Sequence, residues 1–207
     1  MNLARRVSLV VALASACSLL AASTASADTF CAVTSGTLPD CTPANTSVGA
    51  GTAVTNALNA ASSHAGPDKV VIGSGTFTTP NNASFSYVSG GTPGNDVDIA
   101  GQGPSTVLQP LGNPAADYVL VLASTSSATN SVHDLKVNIP STAGTNVTGI
   151  VVSINSPTDI HDVTVTAPTN QLGTIGISLG SPGSKVRSST IDITRHGSQS
   201  GGTFGVV

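Results

Sequence analysis

Val132-His133-Asp134-Leu135-Lys136-Val137 returns further along the chain as Ile160-His161-Asp162-Val163-Thr164-Val165, and again as Val186-Arg187-Ser188-Ser189-Thr190-Ile191. A second phrase keeps step with it: Thr148-Gly149-Ile150, Ile175-Gly176-Ile177 and Phe204-Gly205-Val206. Both phrases recur at the same interval, roughly 27 residues, which lies in the range of solenoid repeats. Two short strand-like phrases locked to one period predict a solenoid of stacked coils. Each coil cannot bury its apolar face alone, so its neighbours must cover it. Val132, Leu135 and Val137 are then expected to stack on Ile160, Val163 and Val165 about 4.8 Å along the axis. Gly149, Gly176 and Gly205 are expected to align at a bend where a Cβ would collide with the next coil.

Working back from the repeat, short alternating runs recur with a turn after each. Lys69-Val70-Val71-Ile72, Thr76-Phe77-Thr78, Val97-Asp98-Ile99, Ser105-Thr106-Val107-Leu108 and Tyr118 to Leu122 all read as strands. Residues 80–96, polar and glycine-rich, read as a loop. One helix is expected. Val54, Leu58 and Ala61 form an apolar stripe, Gly51-Thr52 starts it, and Gly66-Pro67 stops it. A helix there would cap the exposed end of the first coil. Residues 28–50, rich in Thr, Pro and Ser, read as irregular.

Composition agrees with a strand-and-turn fold. The 207 residues contain no Glu and no Trp, and Gly, Ser, Thr, Ala and Val dominate. The N-terminal segment stands apart. Arg5 and Arg6 precede an apolar run from Val7 to Ala16, and Ala25-Ser26-Ala27 is a small-residue cleavage signature. A signal peptide over 1–27 is expected, with the mature chain starting near Asp28. Ala14-Ser15-Ala16-Cys17 keeps a lipoprotein signal open, and the Arg5-Arg6 pair keeps a twin-arginine signal open. The apolar run is short for a membrane span, so the mature chain is expected to carry no transmembrane segment. It keeps ten Asp against five cations, a net charge near −5. Nucleic acid is therefore not an expected partner, because phosphate affinity needs clustered Lys and Arg. In an exported chain, Cys31 and Cys41 are expected to form a disulfide.

These residues resemble the pectate-lyase-like right-handed parallel β-helix superfamily. Asp68-Lys69-Val70-Val71-Ile72-Gly73-Ser74-Gly75-Thr76-Phe77 is similar to its first strand and turn. Val97-Asp98-Ile99-Ala100-Gly101-Gln102-Gly103-Pro104-Ser105-Thr106-Val107-Leu108 is similar to the Gly-x-Gly coil that follows. The His-Asp phrases are similar to its coil repeat, in which Asn or Asp marks a tight turn. The resemblance implies an all-β, right-handed parallel β-helix over residues 51–207. It would be a three-sheet solenoid of roughly five coils with a short N-terminal capping helix, preceded by the disulfide-tied segment 28–50. In that pattern a cap should follow the last coil. Val207 falls inside a coil, so the C-terminal end is expected to be incomplete.

The superfamily spans lyases, glycoside hydrolases, adhesins and surface proteins, so the fold leaves function open. His133, Asp134, His161 and Asp162 are the candidate catalytic residues. On adjacent rungs they would form a ladder able to hold a metal or supply an acid/base pair. They have a structural reading as well: Asp at this position resembles the repeat's turn residue, and Ser188 replaces it in the third copy. Asp96 and Asp98, flanking Val97, are candidate calcium ligands. The spaced Arg and Asp motifs of the lyases do not occur, and Arg195-His196-Gly197 echoes the hydrolases only superficially. The expectation is an exported or cell-surface, non-catalytic module for surface attachment or glycan contact, its partner a polysaccharide or cell-surface glycan. The alternative is a polysaccharide lyase or glycoside hydrolase whose catalytic coils lie beyond Val207.

Overall fold

A computed structural model describes residues 26–80, 83–89, 95–112, 117–124, 128–143, 146–167, 173–194 and 204–207. Residues 1–25, which hold most of the expected signal peptide, and Arg195-His196-Gly197 lie outside the described residues. The chain is a parallel β-solenoid of about 4 turns. No helix among the described residues is long and apolar enough to cross a membrane.

The stack begins with β1 (Thr29–Val33) and β2 (Thr46–Val48), followed by the helix α1 (Ala53–Ser63). The first coil is β3 (Asp68–Ile72), β4 (Gly75–Thr78) and β5 (Phe85–Ser89). The second is β6 (Val97–Ala100), β7 (Thr106–Gln109) and β8 (Tyr118–Ser124). In the next two coils the first two strands fuse. They are β9 (Asn130–Asn138) with β10 (Thr148–Val152), and β11 (Thr158–Ala167) with β12 (Ile175–Leu179). The final level holds β13 (Lys185–Arg187), β14 (Thr190–Ile193) and β15 (Phe204–Val206).

All these strands pair in parallel, which gives three faces. On the first face β2, β1, β3, β6, β9, β11 and β13 lie side by side. On the second, β4, β7, the later halves of β9 and β11, and β14 do so. On the third, the order is β5, β8, β10, β12, β15. Hydrogen bonding joins the first two faces into one 10-stranded sheet, because β9 and β11 run through the corner between them; the third is a separate 5-stranded sheet. The expected three sheets are thus three faces and two hydrogen-bonded sheets. The expected coil count was near five. The chain passes the first face at five levels from β3 to β13, with about 4 turns between first and last.

Each face sends one apolar column inward. Val70, Ile99, Val132, Ile160 and Val186 stack on the first face. Phe77, Leu108, Val137, Val165 and Ile191 stack on the second. Phe85, Leu120, Ile150, Ile177 and Val206 stack on the third. All but the last member of each column are fully buried. Each such side chain contributes about 1.5–3 kcal/mol. The register of the repeat is as expected, with Val132, Leu135 and Val137 opposite Ile160, Val163 and Val165. Helix α1 buries Ala53, Val54, Ala57, Leu58 and Ala61 and packs on β1, β2, β3 and β5, at the start of the stack.

Two local expectations are corrected. Residues 80–96 are not all loop: Phe85 and Tyr87 alternate with Ser86 and Val88 in β5, fully buried against Leu120 and Leu122. Nearby glycines and prolines masked that alternation. The segment 28–50 is not irregular throughout, because β1 and β2 extend the large sheet. The reason is Phe30, Ala32 and Val33, buried apolar residues that need a partner strand. The Cys31–Cys41 disulfide is present, its Cα atoms 6.1 Å apart.

Candidate functional site

Strand alternation sends every second residue outward, and parallel register lines those residues up across coils. On the first face one outward column runs Lys69, Asp98, Ser131, Asp159, Lys185. The next runs Ala100, His133, His161, Arg187. The solenoid therefore gathers His133, His161, Asp98 and Asp159, which come from three successive coils, on one surface.

The polar groups there are tied to one another. His133 lies between two carboxylates, with Nδ1 2.7 Å from Asp134 Oδ2 and Nε2 2.9 Å from Asp98 Oδ1. His161 repeats half of this, its Nδ1 2.8 Å from Asp162 Oδ2. The two imidazoles stack, centroids 4.7 Å apart. Ser131 Oγ donates to Asp98 Oδ1, and Arg187 Nε donates to both oxygens of Asp159 at 3.1 and 3.2 Å. Lys69 Nζ stands 3.9 Å from Asp98.

Asp134, Asp162 and Ser188 occupy the corner between the first two faces. Their φ values of 54°, 53° and 49° place all three in the left-handed region. Asp tolerates that region better than most residues. The two Asp residues thus serve the turn and orient the preceding imidazole at once. In the second coil Gly101 sits beneath this corner, and a Cβ there would overlap the Asp134 carbonyl.

Asp96 and Asp98 border a small groove of about 230 Å³ with Asn130 and Asp159. Asp96 Oδ1 accepts the Thr129 N–H at 2.7 Å, while Asp98 is engaged by Ser131 and His133. Among the described residues no three His, Cys, Asp or Glu side chains are grouped as a metal ion requires. Among the described residues the pair does not make up a calcium site.

Inside the corner between the third and first faces lies a buried polar column that the sequence reading missed. Asn95 accepts the Gly66 N–H and donates to the His64 carbonyl. One coil on, Asn130 accepts the Val97 N–H and donates to Ser156 Oγ. Ser156 N–H in turn donates to Ser181 Oγ. These bonds satisfy backbone groups at a bend where no strand can. The signal was available: Asn95 lies two residues before β6, and Asn130 opens β9.

A larger concavity lies elsewhere. On the outside of the third face, Asp117, Tyr118, Asn146, Thr148, Val151 and Ser178 line an open groove of about 550 Å³. Tyr118 is 42% exposed. Asn146 is held at φ 63°, and its amide occupies space that a Cβ at Gly173 would overlap. Sequence reasoning singled out none of these residues. Tyr118 is one of two tyrosines in the chain and opens an otherwise apolar strand, which was the available hint.

Comparison with protein-family models, with curated proteins and with solved structures gives no match.

Proposed function

We propose that this chain is an exported or cell-surface attachment module that contacts glycan along the third-face groove. The observation that carries the reading is the Tyr118 ring, half in solvent, beside Asp117 and Asn146 in that open groove. A pyranose presents an apolar C–H face and a rim of hydroxyls. An aromatic ring covers the first, and a carboxylate with an amide takes up the second. Export is supported by the sequence of the segment before Asp28 and by the disulfide. Membership of the pectate-lyase-like group is supported by the aligned glycines and the left-handed corner residues.

Affinity electrophoresis of the mature chain through gels carrying single purified polysaccharides tests this. At least one polysaccharide should retard the wild type, and Tyr118→Ala and Asp117→Asn should each weaken binding about tenfold or more, the loss of one stacking contact or charge-assisted hydrogen bond. Wild-type retardation of both variants would assign binding to another surface. The paired variant His133→Ala with His161→Ala should bind normally; its loss of binding would move the contact to the first face.

A second reading, a polysaccharide lyase or glycoside hydrolase, is favoured by one observation. Asp96, Asp98 and Asp159 all line the smaller groove. Release of unsaturated or reducing ends from the same polysaccharides, abolished by Asp98→Asn, would establish it.

A further inference from the structure

Three elements meet around one carboxyl at the start of the stack. Asp68 opens β3 pointing inward, its side chain 0% exposed. Its Oδ1 accepts the backbone N–H of Asp28 at 3.1 Å and lies 2.8 Å from Nδ1 of His64, at the end of α1. Its Oδ2 is buried with no hydrogen-bond partner. Burial, the largest influence, pushes the Asp68 carboxyl above the usual carboxylate range, and its hydrogen bonds oppose that only in part. A buried carboxylate oxygen without a donor is costly, and such a site is short of positive charge.

The group touching Oδ1 is not an arbitrary backbone amide. Asp28 follows Ala25-Ser26-Ala27, the small-residue cleavage signature, and Ser26 and Ala27 are exposed. Hydrolysis of the Ala27–Asp28 bond adds one water. Ala27 leaves as a carboxylate, and the Asp28 nitrogen is left as a primary amine that takes up a proton at neutral pH. Before cleavage that nitrogen offers Asp68 a single N–H and no charge. After cleavage it offers three N–H donors and a full positive charge.

The geometry points to a maturation latch: leader removal at Asp28 creates an α-ammonium that pairs with the buried Asp68 carboxylate and locks β1 and α1 onto the first coil. The other charged or titratable groups described around this pair are His64, the Asp28 side chain, Tyr87 and Asp96. His64 Nε2 lies 3.3 Å from the Asp28 carboxylate, and Tyr87 on β5 donates its hydroxyl to the Asn95 carbonyl. Asp68 and Asp96 both press on Tyr87, so the pocket is anionic on balance and suits an added cation. The latch rests on the export half of the proposed function and is independent of any glycan contact on the third face.

The test compares two forms of the exported chain, one beginning at Asp28 and one retaining Ser26-Ala27, with intact mass fixing each N-terminus. The form beginning at Asp28 should melt about 5 °C higher, the shift that one charge-assisted pair gives a chain of this size. That difference should vanish in Asp68→Asn. Equal melting temperatures, or a difference that survives Asp68→Asn, would overturn the latch. Should Asp68→Asn not fold, the α-amino titration of the unmutated chain decides, followed by NMR on ¹⁵N-Asp28. A midpoint raised above the ordinary value of about 8 supports the pair. A midpoint at or below that value overturns it.

Discussion

His161 lies flat on His133, the ring planes 4° from parallel. Nothing in either residue's local sequence requires this. It follows from parallel register, which places equivalent side chains one rung apart. Asp134 and Asp162 then hold both rings by the same contact.

A double-mutant cycle measures that stack. Removing both rings should be close to neutral for folding, because both lie on the outside. The coupling between His133→Ala and His161→Ala should be about 0.5–1 kcal/mol, as for other aromatic pairs. Urea denaturation of the four proteins gives it directly. Zero coupling would mean that the rings are neighbours by register without attracting each other.

The corner is more demanding than the stack. At Asp162, φ is 53°. Asp162→Asn should change stability by roughly 0.5 kcal/mol or less, since Asn adopts the same region. Asp162→Val should destabilise by about 1–2 kcal/mol, because a β-branched side chain clashes there. Matched losses in the two variants would show that the His161 contact, not the backbone, is what the carboxylate supplies.

Gly176 permits the third face to close against the next coil. A Cβ there would stand 2.6 Å from the Gly205 carbonyl and 2.6 Å from Ile191 Cγ2. Gly176→Ala should therefore lower stability by about 1–3 kcal/mol, the cost of overpacking. Thermal unfolding of the variant checks it, and an unchanged midpoint would mean that the coils can slide apart.

Tyr87 links the core to pH. Burial, aided by the charges of Asp68 and Asp96, pushes its hydroxyl up to about 12. The folded state thus holds this proton more tightly than the unfolded chain, whose tyrosines titrate near 10. The contribution is complete below pH 10 and is lost as pH rises from about 10 to about 12, on the order of 2–3 kcal/mol in all. Denaturation followed across that range should steepen in the wild type and flatten in Tyr87→Phe. Identical slopes would show that Tyr87 is more accessible to hydroxide than its burial implies.

The repeat was legible because burial imposes it. Inward Val, Leu and Ile recur wherever a rung must cover its neighbour, so the register of β9 on β11 could be read from two hexapeptides. Helix α1 was legible for the same reason. Phe85 and Tyr87 were not, since their alternation lies between a Pro-Asn-Asn stretch and a glycine-rich one that read as loop. Nor was the Asn95 and Asn130 column, because hydrogen bonding to bend amides leaves only a single-residue trace per coil. Of the suggested sites, the His-Asp phrases were visible as repeats. The engagement of His133 with Asp98, which lies a full coil earlier in the chain, was not.

Sequence by itself determined the coil, its period and its inward columns, because each depends on periodic burial that one strand reports locally. Only the tertiary structure decided which polar groups meet. Asp98 with His133, Arg187 with Asp159 and Asp28 with Asp68 are contacts between different coils or between a coil and the N-terminal segment. They arise from the stacking of rungs, and the spacing along the chain of the residues involved follows loop length rather than any chemical requirement of the pair.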